Sequence, residues 1–341
     1  MKQGLTNDFI IRGYRLGDEY PVLEMFNEVF NQNREISHWH WKYRDHPWGS
    51  HYVSLALTPE GLPVAHYGGY PVRMTMNSPR NPSREFLTFQ LGDKMTRAEF
   101  RNVGLRTKSL LARVFFHFRD LYGQNTPFGY GFGAHHSLRL GILLFKYMNV
   151  EKIPYRRIEL SQLKHSWRSK FFRSFSGVSV EEVFDVDVTW TELFNRVAPH
   201  YSCLTTRSSE YLRWRYLKRP DKKYLLLALR QKSRLAGWSV FSRNGGMIEW
   251  VDGLFDPMYG HFTGQMLDYL KNHLIAAEAR YIHCWFPTRP NWWDSILKDL
   301  GFVSLQEPND IHLTGPIFTE PGSEMFLREN FYYTMGDSDL Y

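Results

Sequence analysis

Residues 96–123 read TRAEFRNVGLRTKSLLARVFFHFRDLYG. They follow REFLTFQLGDKM (84–95), whose alternation predicts a long strand, so the stretch is a strand–turn–helix junction. Apolar residues at Leu110, Leu111, Val114, Phe115, Phe118 and Leu121 predict one buried stripe on a helix over 105–123. The turn before it is Arg101-Asn102-Val103-Gly104-Leu105-Arg106-Thr107. Backbone N–H groups at a helix start lack intrahelical partners and sit at the positive end of the macrodipole, which makes such a turn an anion site. Gly104 would let a diphosphate approach the backbone, and Arg101 and Arg106 would add charge. The competing reading is an ordinary turn with a solvated arginine; the place between strand and helix weighs for the anion site, and the presence of a single Gly weighs against it.

Downstream, a short strand (126–134) and a helix (135–149) are expected. Upstream, HWHWKYRDHPWGSHYVSLAL from His38 has a partner in YLRWRYLKRPDKKYLLLAL from Tyr211. Trp41, Tyr43 and Pro47 recur as Trp214, Tyr216 and Pro220, 173 positions on. EYPVLEMFNEVF around Phe26 resembles VTWTELFNRVAP around Phe194. Each half reads in one order: strand (9–15; 181–187), amphipathic helix (18–30; 189–200), Trp-rich segment, strand (51–58; 223–230), strand (63–72; 235–242). The second half continues with a strand at 247–255, helix 261–279, strand 280–288, helix 291–301 and a last strand at 302–308. The expectation is two copies of one α/β domain, with two mixed central sheets flanked by helices. They span 1–159 and 178–341, joined by a basic linker at 160–177.

The turn TRAEFRNVGLRTKSLL resembles motif A of the GCN5-related N-acetyltransferases, whose backbone amides bind the pyrophosphate of acetyl-CoA. GYGFGAHHSLRLGILLFKYMNV resembles that family's motif B, a strand and helix beside the acyl and acceptor groups. The resemblance covers roughly residues 8–155; the second copy is similar but more diverged, with Gly260 and Gly264 in DPMYGHFTGQ where the motif A turn should be. The tail NFYYTMGDSDLY resembles the ends of tandem members, including FemAB-like and polysaccharide-cluster proteins. Two departures stand out: Arg106 occupies the third motif position, and the family's frequent Tyr acid falls on Phe145 in one copy and Leu297 in the other.

The resemblance implies a tandem acyltransferase fold with acetyl-CoA, or another acyl-CoA, as co-substrate. The donor would lie on Arg101, Asn102, Val103, Gly104, Leu105, Arg106 and Thr107, with the pantetheine arm on the strand edge Lys94-Met95-Thr96; Ser137 would either hydrogen-bond that arm or cap its helix. Acyl transfer needs a neutral amine, a polarised carbonyl and a proton for the leaving thiolate. Candidate catalytic groups are Asp93 as base, Gln90 to orient water, and His135, beside His136, where a helix start favours a neutral imidazole. Tyr147 is expected on the same helix, facing elsewhere. The expected function is N-acyl transfer to an amine of a small-molecule or glycan-like acceptor, as in polysaccharide biosynthesis. The alternatives are a FemAB-like aminoacyl transferase and a non-catalytic CoA-binding sensor or scaffold.

The 341 residues suit two domains, and 43% hydrophobic with 23% charged residues excludes wholesale disorder, collagen and coiled coil. Two cysteines, Cys203 and Cys284, are too few for a disulfide framework and are read as reduced thiols. No apolar run approaches a membrane span, so a cytoplasmic protein is expected. His38, His40 and His46 lack the partners of a metal site, and neither a metal nor nucleic acid is expected. The net charge of +7 is concentrated: residues 151–177 and 207–223 each carry seven Lys or Arg against two acids. That predicts an anionic contact at the linker and at the second Trp segment, against solvated loops as the alternative.

Overall fold

The computed structural model describes residues 8–78, 81–163, 177–319 and 323–341. The chain forms two compact units: Met1–Val72, Leu87–Asn149 and Leu313–Glu324 make the first, and Arg73–Phe86, Val150–His312 and Met325–Tyr341 the second. Neither is contiguous in sequence.

The first unit contains β1 (Ile10–Gly13), α1 (Glu19–Phe30), the short α2 (Ile36–Trp39), β2 (Val53–Leu57), most of β3 (Pro63–Ser78) and β4 (Asn81–Thr96), α3 (Leu110–Tyr122), β5 (Gly129–Ala134) and α4 (His135–Phe145). Its sheet runs β1-β2-β3-β4-β5, and then a strand from far downstream, β15 (Ile311–Gly315), separates β5 from β6 (Met148–Lys152). Alternation along the strands feeds two cores. On one face Ala56, Val64, Phe89 and Leu91 pack against Leu110, Val114, Phe115 and Phe118 of α3. On the other, Val53, Leu55, Leu57 and Met95 pack against Val22, Met25 and Phe26 of α1 and against Trp39 and Tyr43.

The second unit contains β7 (Tyr155–Glu159), β8 (Val178–Val183), α5 (Val188–Val197), β9 (Cys203–Thr205), the short α6 (Ser209–Leu212), β10 (Leu225–Gln231), β11 (Arg234–Asn244), β12 (Met247–Phe255), α7 (Thr263–Lys271), β13 (Tyr281–Cys284), α8 (Asn291–Leu300), β14 (Val303–Leu305), α9 (Ser323–Asn330) and β16 (Phe331–Tyr332). Its sheet runs β14-β7-β13-β12-β11-β10-β8. Its core is tryptophan-rich: Trp250 and Phe255 both contact the ring of Trp293, and Trp190 packs on Trp238. Gly301, left-handed at φ 97°, ends α8 as the C-cap that Gly after Leu300 predicts.

Strand usage departs from the chain order expected from sequence. β7, just past Asn149, pairs with β13 and β14 in the second sheet, whereas β15, near the end, completes the first. The reading of 302–308 as the last strand is corrected: β14 is three residues long, and β15 and β16 follow it. Most of the expected basic linker, residues 164–176, lies outside the described residues.

Other boundaries also move. Helix 105–123 starts at Leu110, because residues 97–109 form two short 3-10 turns and the Ser109 hydroxyl caps α3 by accepting from the Ala112 amide at 3.4 Å. Leu121, expected on the buried stripe, is 51% exposed. Helix 135–149 ends at Phe145: Lys146 is left-handed at φ 54°, and the chain turns into β6. Tyr147 is therefore off the helix and buried, its hydroxyl hydrogen-bonded to that of Tyr67. The helices expected at 189–200 and 261–279 shorten to α5 and α7.

Candidate functional site

β4 carries the centre of the first unit. It pairs in parallel with β5 only at Phe89–Gly129 and Gln90–Tyr130. Beyond Leu91, whose carbonyl still lies against Gly131, no further β4–β5 pair forms among the described residues, which leaves residues 92–96 without a strand partner on the β5 side. Gly92-Asp93 lies where the two strands part, and Asp93 is left-handed at φ 49°, a conformation that aspartate tolerates better than most residues.

Four side chains hold Asp93 there. Arg34 Nη1, Lys42 Nζ and the Tyr43 hydroxyl all donate to Asp93 Oδ2, at 3.0, 3.0 and 2.8 Å. His66 Nδ1 donates to the Asp93 carbonyl at 2.7 Å. Lys42 and Tyr43 come from a π-helical turn, His40–Arg44, closed by the Asp45 amide on the His40 carbonyl at 2.8 Å. Burial alone would raise the Asp93 carboxyl, but Arg34 and Lys42 outweigh it and hold the group well below the usual carboxylate range. Burial pushes His66 down to about 4, so its imidazole is neutral and its Nε2 is the unprotonated nitrogen. A carboxylate paired with two cations is a weak proton acceptor, so this geometry makes Asp93 a charge anchor rather than a base.

Gln90 is fully buried on β4. Met95 and Thr96 are buried, whereas Lys94 is half-buried with Nζ 5.1 Å from the ring centre of Tyr147. His135 opens α4 at φ 42°, and His135, His136 and Ser137 are all exposed.

The turn between β4 and α3 is anchored by Phe100, edge-on to Phe9, and by Val103 against the same core. Arg101, Asn102 and residues 104–108 are exposed. Backbone bonds account for the amides of Arg101, Val103, Lys108 and Ser109. Among the described residues the amides of Gly104, Leu105, Arg106 and Thr107 have no acceptor. The reason for Gly104 is sharper than the sequence suggested. Its φ is 72°, and a Cβ there would meet the Lys108 carbonyl oxygen at 2.1 Å, so the turn's own backbone requires glycine. Arg101 Nε donates to the Thr96 carbonyl at 3.2 Å, and Arg106 is left-handed at φ 52°.

The second unit builds a matching centre. Its π-helical turn, Arg213–Leu217, lies 173 positions after the first. Tyr216 donates to Asp252 Oδ2 at 2.7 Å, and Arg207 reaches the same carboxylate at 3.1–3.2 Å. Asp252 sits on β12 at a register shift against β11. Three of the cations expected to form a basic surface at 207–223 are buried instead. Arg207 pairs with Asp252 and Asp337, Arg215 donates to the carbonyls of Gly336 and Ser338, and Arg219 pairs with Asp221.

Arg34, Lys42 and His66 were not singled out from sequence, and Tyr43 only as a repeated position. The 173-residue offset is the signal that could have found three of the four, since it sets Arg34 against Arg207, Lys42 against Arg215 and Tyr43 against Tyr216. His38 and His46 are buried; burial lowers His46 to about 3, and its Nδ1 accepts from the Trp48 amide at 3.1 Å. Among the described residues no three His, Cys, Asp or Glu side chains group as metal ligands. Both cysteines are buried and free, and burial raises both thiols, Cys284 to about 12. No helix among the described residues is long and apolar enough to cross a membrane.

No family model matches the sequence, and no curated protein matches it. Solved structures do match in fold. A conserved protein from Enterococcus faecalis described as a probable N-acyltransferase superposes with a TM-score of 0.65 at 12% identity, over 92% of this chain and 73% of that one. A GCN5-related N-acetyltransferase from Kribbella flavida gives 0.64 at 10% identity, over 92% and 72%. The Saccharomyces cerevisiae N-myristoyltransferase solved with bound myristoyl-CoA gives 0.55 at 11% identity, over 92% and 81%. The chain therefore has the acyl-CoA N-acyltransferase fold, with mixed sheets flanked by helices.

Proposed function

We propose that this chain is an acyl-CoA-dependent N-acyltransferase, built as a tandem of two copies of the fold, with the donor bound by the first. The observation that carries this is the exposed turn before α3. It presents four unpaired amides, at Gly104 to Thr107, beside the open β4 edge at Lys94–Thr96. Such amides suit a diphosphate, with Arg101, Asn102, Val103 and Arg106 around it. The β4 edge suits the pantetheine arm, and Ser137 at the start of α4 supplies a hydroxyl. The tandem reading rests on the shared π-helical turns and on the Tyr–Asp–Arg centre present in each unit.

In this reading the free amine attacks the thioester carbonyl, a backbone N–H of the β4 edge stabilises the oxyanion, and the departing thiolate takes a proton. His135, exposed at the start of α4, is the proposed proton acceptor, and Gln90 a positioning group on β4. Asp93 fixes the kink from which the edge departs. The acceptor is an amine on a small molecule or glycan.

Calorimetric titration with acetyl-CoA, for wild type and Gly104→Trp, tests the donor site: heat is expected for wild type only, and none for wild type would sink the assignment. Thiol release against an amine library separates enzyme from sensor. The locking of Asp93 between two cations favours the sensor as the second reading, and tight CoA binding without thiol release would establish it.

A further inference from the structure

Arg34 and Arg207 stand 173 positions apart, each ahead of its Trp segment, and each reaches the aspartate of its own unit's centre. Their remaining hydrogen bonds differ. Arg207 uses all three nitrogens: Nε and Nη2 on Asp252, Nη1 on the Thr205 carbonyl at 3.1 Å, and Nη2 also on Asp337 Oδ2 at 2.8 Å. Its side chain is 1% exposed. Arg34 uses Nη1 alone. Among the described residues its Nε and Nη2 have no partner, and no second carboxylate joins it as Asp337 joins Arg207. Its side chain is 18% exposed, so solvent reaches it.

The Arg34 guanidinium is nevertheless held in place. It lies over the Phe26 ring, 3.5 Å from the centroid. Its backbone is clamped by Asn27, whose Oδ1 accepts from the Arg34 amide at 2.7 Å and whose Nδ2 donates to the Arg34 carbonyl at 3.1 Å. A guanidinium is a planar fork matched to carboxylate geometry, so an ordered one with two free nitrogens presents a ready partner surface.

We propose that Arg34 receives a carboxylate carried by the acceptor, in the role that the Asp337 carboxylate fills toward Arg207. This rests on the transferase reading only for the word acceptor; the anion site stands on the geometry. The internal counterpart, Asp337 on Arg207, is a carboxylate, and it selects that class over phosphate.

The test uses the full chain as wild type, Arg34→Gln and Arg34→Lys. Arginine side-chain N–H resonances are followed during titration with sodium acetate, acetamide and inorganic phosphate at constant ionic strength. Acetate is expected to shift the Arg34 signals saturably while acetamide does not and the Arg207 signals stay fixed. Arg34→Gln removes the response, and Arg34→Lys, folded and charged but without the fork, weakens it. In thiol release from acetyl-CoA, the preference for glycine over glycinamide, and for β-alanine over β-alaninamide, falls about 10–100-fold in Arg34→Gln, a ratio that any loss of donor binding common to both amines leaves unmoved. Equal shifts with acetate and acetamide, or phosphate bound in preference to acetate, would overturn the proposal. A saturable acetate shift without thiol release from any amine would uphold the anion site and sink the transferase reading.

Discussion

The Tyr43 hydroxyl donates to Asp93 Oδ2 at 2.8 Å, and the same relationship recurs at Tyr216 and Asp252, at 2.7 Å. In both units a π-helical turn points a tyrosine at an aspartate on a long strand, and an arginine completes the clamp. Tyr43→Phe removes one hydrogen bond to a charged group and is expected to cost about 1.5–3 kcal/mol. Asp93→Asn leaves Arg34 and Lys42 without their shared anion and is expected to cost about 3–5 kcal/mol. Urea midpoints at unchanged slope check both; equal small losses for the two variants would refute the anchor role.

Gly104→Ala tests the anion turn without adding bulk to its surface. The new Cβ would collide with the Lys108 carbonyl, and φ 72° strains it further. The turn is exposed, so thermal stability is expected to drop by no more than about 2 kcal/mol. CoA affinity should fall at least about tenfold by calorimetry. Unchanged affinity would move the donor elsewhere.

His135→Ala addresses the proton acceptor. A general base contributes about 10²–10⁴-fold, so kcat should fall by that range while the calorimetric affinity for CoA is kept. A fall in affinity with kcat intact would make the residue a binding group.

Stability should depend on pH above the carboxylate range. Burial lowers His66 to about 4 and His46 to about 3, below the ordinary imidazole value of 6.5. Below pH 6.5 the unfolded chain takes up protons at these positions and the native state does not. Stability is therefore fully present above 6.5 and falls as pH drops, by up to about 1.4 kcal/mol per unit for each histidine, until each folded value is reached. Thermal midpoints between pH 7.5 and 5 measure it, and His46→Phe should flatten the slope. A flat profile in wild type would contradict the buried neutral state.

The amphipathic helix at 18–30 and the strand pair that follows it were legible, because a 3.6-residue stripe and a two-residue alternation are local patterns. The motif A turn was legible as a turn but not in its detail: Ser109 as the cap and the Gly104–Lys108 collision are three-dimensional facts. β7 and β15 were missed because five residues of strand carry no mark of the sheet they will join. The Asp93 clamp was half legible. Asp93 stood out as a carboxylate near the cleft, but its partners at 34, 42, 43 and 66 come from three separate places, and only their distances reveal an anchor.

The placement of β15 between β5 and β6 has a consequence for synthesis. As the chain leaves the ribosome, residues 10–152 emerge long before Ile311–Gly315, so the first sheet waits with a vacant slot while the second half is translated. Backbone groups along β5 and β6 remain unpaired for that interval and could be taken up by a neighbouring nascent chain. Chaperone engagement should accordingly be greatest after about residue 160 and end once β15 is released.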